Sequence, residues 1–274
     1  MIALDTRHLY AESVGDQGIA RNALAQLAPR LQTVHAQTIE RMRGGFDAPY
    51  ACLNLHETMP RECAAIETEA AKLRAFRDVI VIGIGGSNLG TMAVQQALAY
   101  GGRSRGGPTL HYVDNIDPDY LHDLLARLSP ADTGVIAVSK SGGTLETATQ
   151  YLVIREWLAQ RLGADSQRHQ WVVTDPKAGW LRALANQEKL ATLPVPPNVG
   201  GRYSVLSAVG LLPLAVVGVD IRALREGARA NAERCAGADA AANPALEMAA
   251  AFYALDTQKA KRLSILMPYV HALR

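Results

Sequence analysis

Short apolar runs alternate with helical patterns through the middle of this 274-residue chain. Val79–Ile82 and Gly134–Val138 are unbroken runs of the kind found in strands that are buried on both faces of a sheet. Because strands that alternate with helices form right-handed β–α–β units, we expect a three-layer α/β/α, doubly wound sheet of five parallel strands in the flavodoxin-like order 2-1-3-4-5. The strands are expected at 79–82, 110–113, 134–138, 170–173 and 190–195, with helices between them at 89–100, 118–128, 144–162 and 179–186.

Helical patterns without strands occupy the two ends of the chain. Apolar residues at helical spacing run from Ile19 to Ile39, and further helices are expected at 62–76, 206–217, 221–235 and 244–254. The run Leu263–Met267 has strand character. We expect that it either adds to the sheet or opens a second domain, since an unpaired apolar edge strand would be prone to pair with other chains. We expect an N-terminal helical segment at 1–60, a first α/β domain at 61–220, and at 221–274 connecting helices with the first strand of an incomplete second domain.

Composition and charge disfavour several classes of protein. The net charge of +2 comes without a basic run that would indicate nucleic-acid binding, and no stretch of about 18 apolar residues predicts a membrane span. The 3 Cys residues show no metal-binding spacing, which is typical of free thiols in a reducing cytosol, and Met1–Tyr10 lacks a signal-peptide run. We therefore expect a cytoplasmic protein with no metal, no nucleic-acid partner and no membrane contact.

A glycine-rich loop, Gly83–Gly90, follows the first expected strand and leads into a helix. Glycines allow backbone N–H groups to approach an anion, and the positive end of the helix points at the same place. The dinucleotide fingerprint would need Gly at position 88, where Asn88 stands, and a phosphate-binding P-loop would need Lys at position 91, where Thr91 stands. By itself this loop fits a structural turn as well as a ligand site; Ser87 could cap the helix or donate to a phosphate.

A loop rich in hydroxyl groups, Ser139–Thr147, follows the third expected strand. Thr144 could simply cap the next helix. One hydroxyl is enough for a cap, however, and Ser139, Ser141 and Thr144 together supply donors that suit the three oxygens of a phosphate monoester. The sequence therefore favours a phosphate site here.

The predicted topology places these two loops side by side. In the order 2-1-3-4-5 the first and third strands are neighbours, and a crevice opens where their helices leave on opposite faces of the sheet. The loop after the second strand, 114–118, is acidic and would repel phosphate, and the loop after the fourth, 174–176, reads as an ordinary helix N-cap. We therefore expect the anion to bind between the first and third strands.

Four segments, in order, resemble the glucose-6-phosphate isomerase family, whose fold is the sugar-isomerase (SIS) domain. Gly83–Gly90 is similar to the first signature of the family, and Ser139–Thr147 resembles its SIS loop. Gly200–Gly210 resembles the segment with the active-site arginine, and Leu266–Tyr269 is similar to the start of the second SIS domain. The resemblance covers essentially the whole chain and implies aldose–ketose isomerisation of a sugar phosphate in glycolysis and gluconeogenesis.

The resemblance also implies roles for individual residues, without a cofactor or metal. Arg202 would be catalytic, because a fixed guanidinium stabilises the charge that develops on the oxygens of an enediolate. Gly201 would lie in the substrate-binding loop, near the C1 and C2 oxygens of the sugar. The residues implied in binding the substrate phosphate are Gly86, Ser87, Ser139, Lys140, Ser141 and Thr144.

The family's general-base glutamate, ring-opening histidine and a late lysine lie beyond the matched segments. None of the 7 His residues stands in a matching motif; His111 is expected to be structural on a buried strand, and His271 follows the last expected strand. We therefore expect a truncated N-terminal portion that binds sugar phosphate weakly and does not isomerise it alone. The complete protein is expected to be a homodimer.

Two other functions are compatible with parts of the pattern. A non-catalytic SIS module that binds a sugar phosphate would share the loops, but no basic helix-turn-helix accompanies them. A nicotinamide-dependent oxidoreductase could use Asp114 as a ribose ligand, but the missing third glycine and the second hydroxyl loop argue against it.

Overall fold

The computed structural model describes residues 4–57, 59–99 and 107–269. Two compact units divide the chain: one comprises Gly45–Arg225 together with Pro268 and Tyr269, and the other combines the N-terminal residues up to Gly44 with Glu226–Met267. Some of the predicted features lie outside the described residues. These are the expected helix end at Tyr100, the residue His271, and the chain ends 1–3 and 270–274 of the expected domains.

A five-stranded parallel sheet forms the centre of the Gly45–Arg225 unit. Its strands follow the order β2-β1-β3-β4-β5, which confirms the predicted doubly wound α/β fold. Strand β1 pairs with β3 through Ile82 and Ala137 near their carboxyl ends, so the loops that follow these two strands begin side by side. The strands are β1 (Asp78–Ile82), β2 (Thr109–Val113), β3 (Thr133–Ser139), β4 (Gln170–Thr174) and β5 (Ala191–Pro194).

The α-helices within residues 59–259 lie close to the positions expected from the sequence, whereas the pattern from Ile19 to Ile39 forms two helices on either side of Leu27, and a short helix at 11–14 was not expected. Helices α5 to α8 connect or follow the strands, and α10 continues from one unit into the other. The helices are α1 (Ala11–Val14), α2 (Ala23–Gln26), α3 (Ala28–Met42), α4 (Met59–Leu73), α5 (Leu89–Ala99), α6 (Pro118–Arg127), α7 (Leu145–Leu162), α8 (Trp180–Glu188), α9 (Ala208–Val216), α10 (Ile221–Arg234) and α11 (Pro244–Lys259).

Two apolar layers cover the faces of the sheet because alternate strand residues point to opposite sides. Val79 and Val81 of β1 pack in the layer that contains α4 and α9, with α5 against it. Ile80 and Ile82 pack in the opposite layer, with α6, α7 and α8. Burying one such side chain contributes about 1.5–3 kcal/mol relative to exposure. Helices α5 and α7 thus leave neighbouring strands on opposite faces, which is the condition for a crevice between them.

The edge strand β2 is less buried than the sequence predicts. His111, expected on a buried strand, is partly exposed because β2 has a neighbour on one side only. Its Nε2 lies 2.8 Å from Oδ1 of the buried Asp78, which supports the structural role expected for His111. Burial opposes ionisation of Asp78, but hydrogen bonds from His111 and Arg77 outweigh it and hold the pKa of the Asp78 carboxyl below its ordinary value.

In the second unit, a small apolar cluster joins the N-terminal turns to the late helices. Ile19 and Ala23 are buried against Ala254 of α11. The run Leu263–Met267 forms no strand and its apolar side chains are exposed, so it does not add to the sheet in the described structure. Among the described helices, none combines the length and apolar character that a membrane crossing requires.

Candidate functional site

The three hydroxyls of the loop after β3 converge on one point. The Ser139 hydroxyl donates to Oγ1 of Thr144 at 3.2 Å, and Oγ of Ser141 lies 3.3 Å from the same oxygen. Ser139 is only 3% exposed, whereas Ser141 is exposed and Thr144 half-buried. The loop therefore holds a cluster of donors that is closed on the side of the sheet and open on the other.

Thr144 precedes α7 but does not cap it. Its backbone is extended, as at an N-cap position, yet its side chain accepts no hydrogen bond from the amides of the first turn. An N-cap hydroxyl normally satisfies one of these amides. Here the hydroxyl joins Ser139 and Ser141 instead, so the first-turn amides and the positive end of an 18-residue helix are left for another anionic or polar group.

Residues of β4, of the loop after it and of the first turn of α8 contact the hydroxyl loop and hold it in place. The Thr174 hydroxyl donates to the Ser139 carbonyl at 2.6 Å, and the Gly142 carbonyl accepts from the Leu181 amide at 3.1 Å. A Cβ atom on Gly179, whose φ is +98°, would lie 2.5 Å from the Ser141 carbonyl oxygen. The loop is thus held by contacts that leave no room for movement toward α8.

Lys140 is associated with the loop after β4. Its carbonyl accepts a hydrogen bond from the Asp175 amide at 3.2 Å. Amide hydrogen bonds from Lys177 and Ala178, with a smaller contribution from the positive charge of Lys140, lower the pKa of the Asp175 carboxyl. No hydrogen bond within the described residues joins the Lys140 ammonium to Ser139, Ser141 or Thr144, so its predicted contact with phosphate stays a prediction.

The first loop forms a 3₁₀ turn at Gly85–Ser87, two residues after the end of β1. A Cβ on Gly83 would lie 2.7 Å from Cβ of Ser87 and 3.1 Å from the carbonyl oxygen of Val138, the residue before Ser139. The structure therefore brings Ser87 to the end of β3. Because α5 begins at Leu89, Ser87 does not occupy the cap position, and its hydroxyl has no hydrogen-bond partner among the described residues.

The turn at Gly85–Ser87 also touches the segment that carries the predicted arginine. A Cβ on Gly86 would lie 2.3 Å from the carbonyl carbon and oxygen of Gly201 and 2.7 Å from the Arg202 nitrogen. Arg202 itself is exposed, and its guanidinium forms no hydrogen bond or ion pair with another described residue. Its segment is a second 3₁₀ turn, Gly201–Tyr203, so two short turns meet backbone to backbone.

Two residues at this junction carry no role in the sequence prediction. Asn88 is fully buried and donates through Nδ2 to the Gly83 carbonyl at 2.7 Å, while its Oδ1 has no partner within the described structure. The Ser204 hydroxyl donates to the Gly201 carbonyl at 2.7 Å and lies 3.4 Å from the Gly86 carbonyl. The sequence marks these residues only indirectly: Asn88 stands where the dinucleotide fingerprint has glycine, and Ser204 lies within the arginine segment. Neither residue type indicates that the two loops meet, because that contact joins distant parts of the chain.

The acidic loops take structural roles. Asp117 caps α6 by accepting from the Tyr120 amide at 3.0 Å. The expected N-cap at 174–176 is wrong: Asp175 accepts from the Lys177 and Ala178 amides, but α8 begins only at Trp180, after Gly179. The residues between Asp175 and α8 bring Gly179 close to the Ser141 carbonyl. The described residues contain no cluster of three His, Cys, Asp or Glu side chains that could hold a metal.

Comparison with known proteins relates both loops to one family. The family model for phosphoglucose isomerase matches residues 43–274. Glucose-6-phosphate isomerase of Carboxydothermus hydrogenoformans is 43% identical over 239 residues, which cover 84% of this chain and 50% of that protein. Glucose-6-phosphate isomerase of Thermus thermophilus is 48% identical over 231 residues, which cover 84% of this chain and 52% of that protein.

A solved structure agrees with the sequence comparisons. The crystal structure of a hypothetical protein from Thermus thermophilus superimposes with a TM-score of 0.81 at 36% identity, over 92% of this chain and 57% of that one. The chain thus spans about half the length of the relatives that it matches. Since the family match extends over both loops and the arginine segment, the chain belongs to the phosphoglucose isomerase family.

Proposed function

We propose that the protein to which this chain contributes interconverts glucose-6-phosphate and fructose-6-phosphate, in glycolysis and gluconeogenesis, through an enediolate. The observation that carries the proposal is the convergence of the Ser139, Ser141 and Thr144 hydroxyls at the end of β3, beside the turn that contacts Arg202. The matched relatives bear the name glucose-6-phosphate isomerase, so a non-catalytic sugar-phosphate module is not favoured.

In this proposal the substrate phosphate binds to neutral donors. Hydroxyls of Ser139, Ser141 and Thr144 donate to its oxygens, and the first-turn amides of α7 and the amides of the Gly85–Ser87 turn complete the shell. Hydrogen bonds to a charged group contribute about 1.5–3 kcal/mol each. Gly86 and Ser87 belong to this second turn, and Lys140 contributes positive charge from the rim of the site.

Arg202 would act at the other end of the sugar. Its exposed guanidinium, unpaired within the described residues, is available to the C1 and C2 oxygens, with Gly201 beside them. Stabilising the charge on an enediolate requires a fixed donor but does not move the proton between carbons, which needs a positioned base. The hydroxyl groups and amides of this site are too weakly basic for that step, so we propose that the chain alone binds substrate and does not turn it over.

The remaining expectations belong to the same proposal. Residues 61–220 would form the SIS domain, preceded by a helical segment at 1–60 and followed by the start of a second domain within 221–274. The complete protein would be a cytoplasmic homodimer whose substrate is a small sugar phosphate. We propose no cofactor for the reaction, because isomerisation through an enediolate is internal to the substrate.

Calorimetric titration with glucose-6-phosphate tests the proposal on the intact 274-residue chain. We expect binding of glucose-6-phosphate, none of glucose or NAD, and no formation of fructose-6-phosphate in a coupled assay. Arg202→Ala should leave the affinity for inorganic phosphate close to that of the wild type, since no hydrogen bond among the described residues joins its guanidinium to Ser139, Ser141 or Thr144. Loss of phosphate binding in Arg202→Ala would contradict the assigned roles, and binding of NAD in place of sugar phosphate would contradict the function.

A further inference from the structure

The contact between the Gly85–Ser87 turn and the Gly201–Tyr203 turn leaves no free volume. A Cβ on Gly86 would come within 2.3 Å of the Gly201 carbonyl, a separation that folded proteins essentially never show. Gly86 has an ordinary negative φ, so it is close packing and not backbone conformation that requires glycine here. A displacement of either turn toward the other is therefore blocked, and the two backbones must move together or separate.

One buried hydroxyl connects the two turns. Ser204 is 2% exposed, and its Oγ lies between the carbonyls of Gly201, at 2.7 Å, and Gly86, at 3.4 Å. A hydroxyl has a single proton, which it can share between two acceptors or give to either one. Ser204 thus opposes separation of the turns in the same place where packing opposes their approach.

Ser204 is itself held by the most deeply buried helix of the described structure. Its carbonyl accepts from the Ser207 amide at 2.8 Å and from the Ser207 hydroxyl at 2.6 Å, and Ser207 caps α9 by accepting from the Val209 amide. All residues of α9 are buried. The junction therefore rests on a rigid element, and the freedom left to it is the local opening of the two turns.

We infer that Ser204 is a positioning residue that couples anion binding at the Gly85–Ser87 turn to the placement of Arg202. The inference rests on the proposed function and goes beyond it. An anion that binds the first turn restricts its backbone, and the Ser204 hydroxyl and the Gly86 contact pass that restriction to the Gly201–Tyr203 turn. Thermodynamic reciprocity requires the converse as well: order in the arginine turn favours anion binding. The phosphate end of a substrate thus prepares the arginine for the reacting end.

Hydrogen–deuterium exchange of the intact chain, with inorganic phosphate as the ligand, tests the coupling. The Tyr203 and Ser204 amides report on the arginine turn because they donate to the Gly200 and Gly201 carbonyls. If opening of this turn requires loss of the anion, phosphate at ten times its Kd slows their exchange about 11-fold. In Ser204→Ala, we expect phosphate still to protect the Ser87 and Asn88 amides while the protection of residues 203 and 204 is lost.

Ser166→Ala is the matched control, because Ser166 is another buried serine of the same unit and lies outside both turns. It should retain the phosphate-dependent protection of the arginine turn. If Ser204→Ala does not fold, Ser204→Cys replaces the hydroxyl by a weaker donor of similar shape and should also reduce that protection. A merely structural role of Ser204 would change exchange equally with and without phosphate.

Two results would overturn the inference while leaving the proposed function intact. One is protection of the first turn without protection of the arginine turn in the wild type; the other is full phosphate-dependent protection of the arginine turn in Ser204→Ala. If saturating phosphate protects neither the first turn nor the 139–144 loop of the wild type, the proposed phosphate site is wrong, and the coupling is wrong with it.

Discussion

Replacing Thr144 by Val is the most direct test of the hydroxyl cluster. Valine has the same shape as threonine, with a methyl group in place of the hydroxyl, so the change removes the oxygen on which Ser139 and Ser141 converge at 3.2 and 3.3 Å. The helix should be little affected, because the Thr144 side chain does not cap α7. The loss is therefore concentrated on the donors proposed to bind phosphate.

The magnitude follows from the donors that the substitution removes. One hydrogen bond to a charged oxygen contributes about 1.5–3 kcal/mol. At 1.4 kcal/mol for each factor of ten, the Kd for phosphate should rise by roughly 10- to 150-fold. The buried Ser139 hydroxyl also loses its acceptor, so the free energy of unfolding without phosphate should fall, by about 1–3 kcal/mol if no water replaces it.

Calorimetry and thermal unfolding separate these two effects. Phosphate at 100 times its Kd should stabilise the wild type by about 2.7 kcal/mol, and at the same concentration Thr144→Val should keep only about 0.3–1.4 kcal/mol of this stabilisation. Thr149→Val is the matched control: it is the same substitution inside α7, where the Thr149 hydroxyl donates to the Leu145 carbonyl at 2.9 Å. An unchanged phosphate affinity in Thr144→Val, with folding intact, would refute the role of the cluster.

Two other changes have clear expected outcomes. Gly179→Ala places a Cβ 2.5 Å from the Ser141 carbonyl, so it should weaken phosphate binding as well as stability. Gly163→Ala, also at positive φ but in open space, should cost only the strain of a backbone conformation that favours glycine, about 1–3 kcal/mol, and equal phosphate affinities of the two variants in calorimetry would contradict this. The pKa of the Asp78 carboxyl is lowered because hydrogen bonds from His111 and Arg77 outweigh the effect of burial. The contribution of Asp78 to the free energy of unfolding is therefore present above the unfolded pKa of about 3.9 and is lost as the pH falls through the lower folded value. Urea unfolding of Asp78→Asn should therefore show a weaker decline of stability in acid than the wild type, and an identical decline would argue against this ion pair.

The sheet order could be predicted because it depends on local patterns. Unbroken apolar runs such as Val79–Ile82 mark strands covered on both faces, and alternation with helices restricts the topology to a few arrangements. The neighbouring positions of the loops after β1 and β3 follow directly from that order. The hydroxyl loop could also be located, since hydroxyls and glycines at a strand end are visible in the sequence.

Other features depend on contacts that no local pattern encodes. The approach of Gly86 to Gly201 joins residues far apart in the chain, and a glycine gives no sign of what its missing Cβ would meet. The Thr144 hydroxyl joins other hydroxyls and does not cap α7. This choice of partner depends on where Ser139 lies in three dimensions, which the sequence does not show. The run Leu263–Met267 has the composition of a strand but no strand partner in the described structure, and composition alone cannot supply one.

The exposure of Arg202 has a consequence for the electrostatics of turnover. A guanidinium surrounded by water attracts a developing negative charge at 4 Å by only about 1 kcal/mol, whereas at an effective dielectric constant of 20 the same pair gains about 4 kcal/mol. The difference corresponds to roughly a hundredfold in rate. An arginine that is surrounded by water is therefore a weak electrostatic catalyst. A surface that excludes water from Arg202 would determine much of the stabilisation that its guanidinium gives to the developing charge.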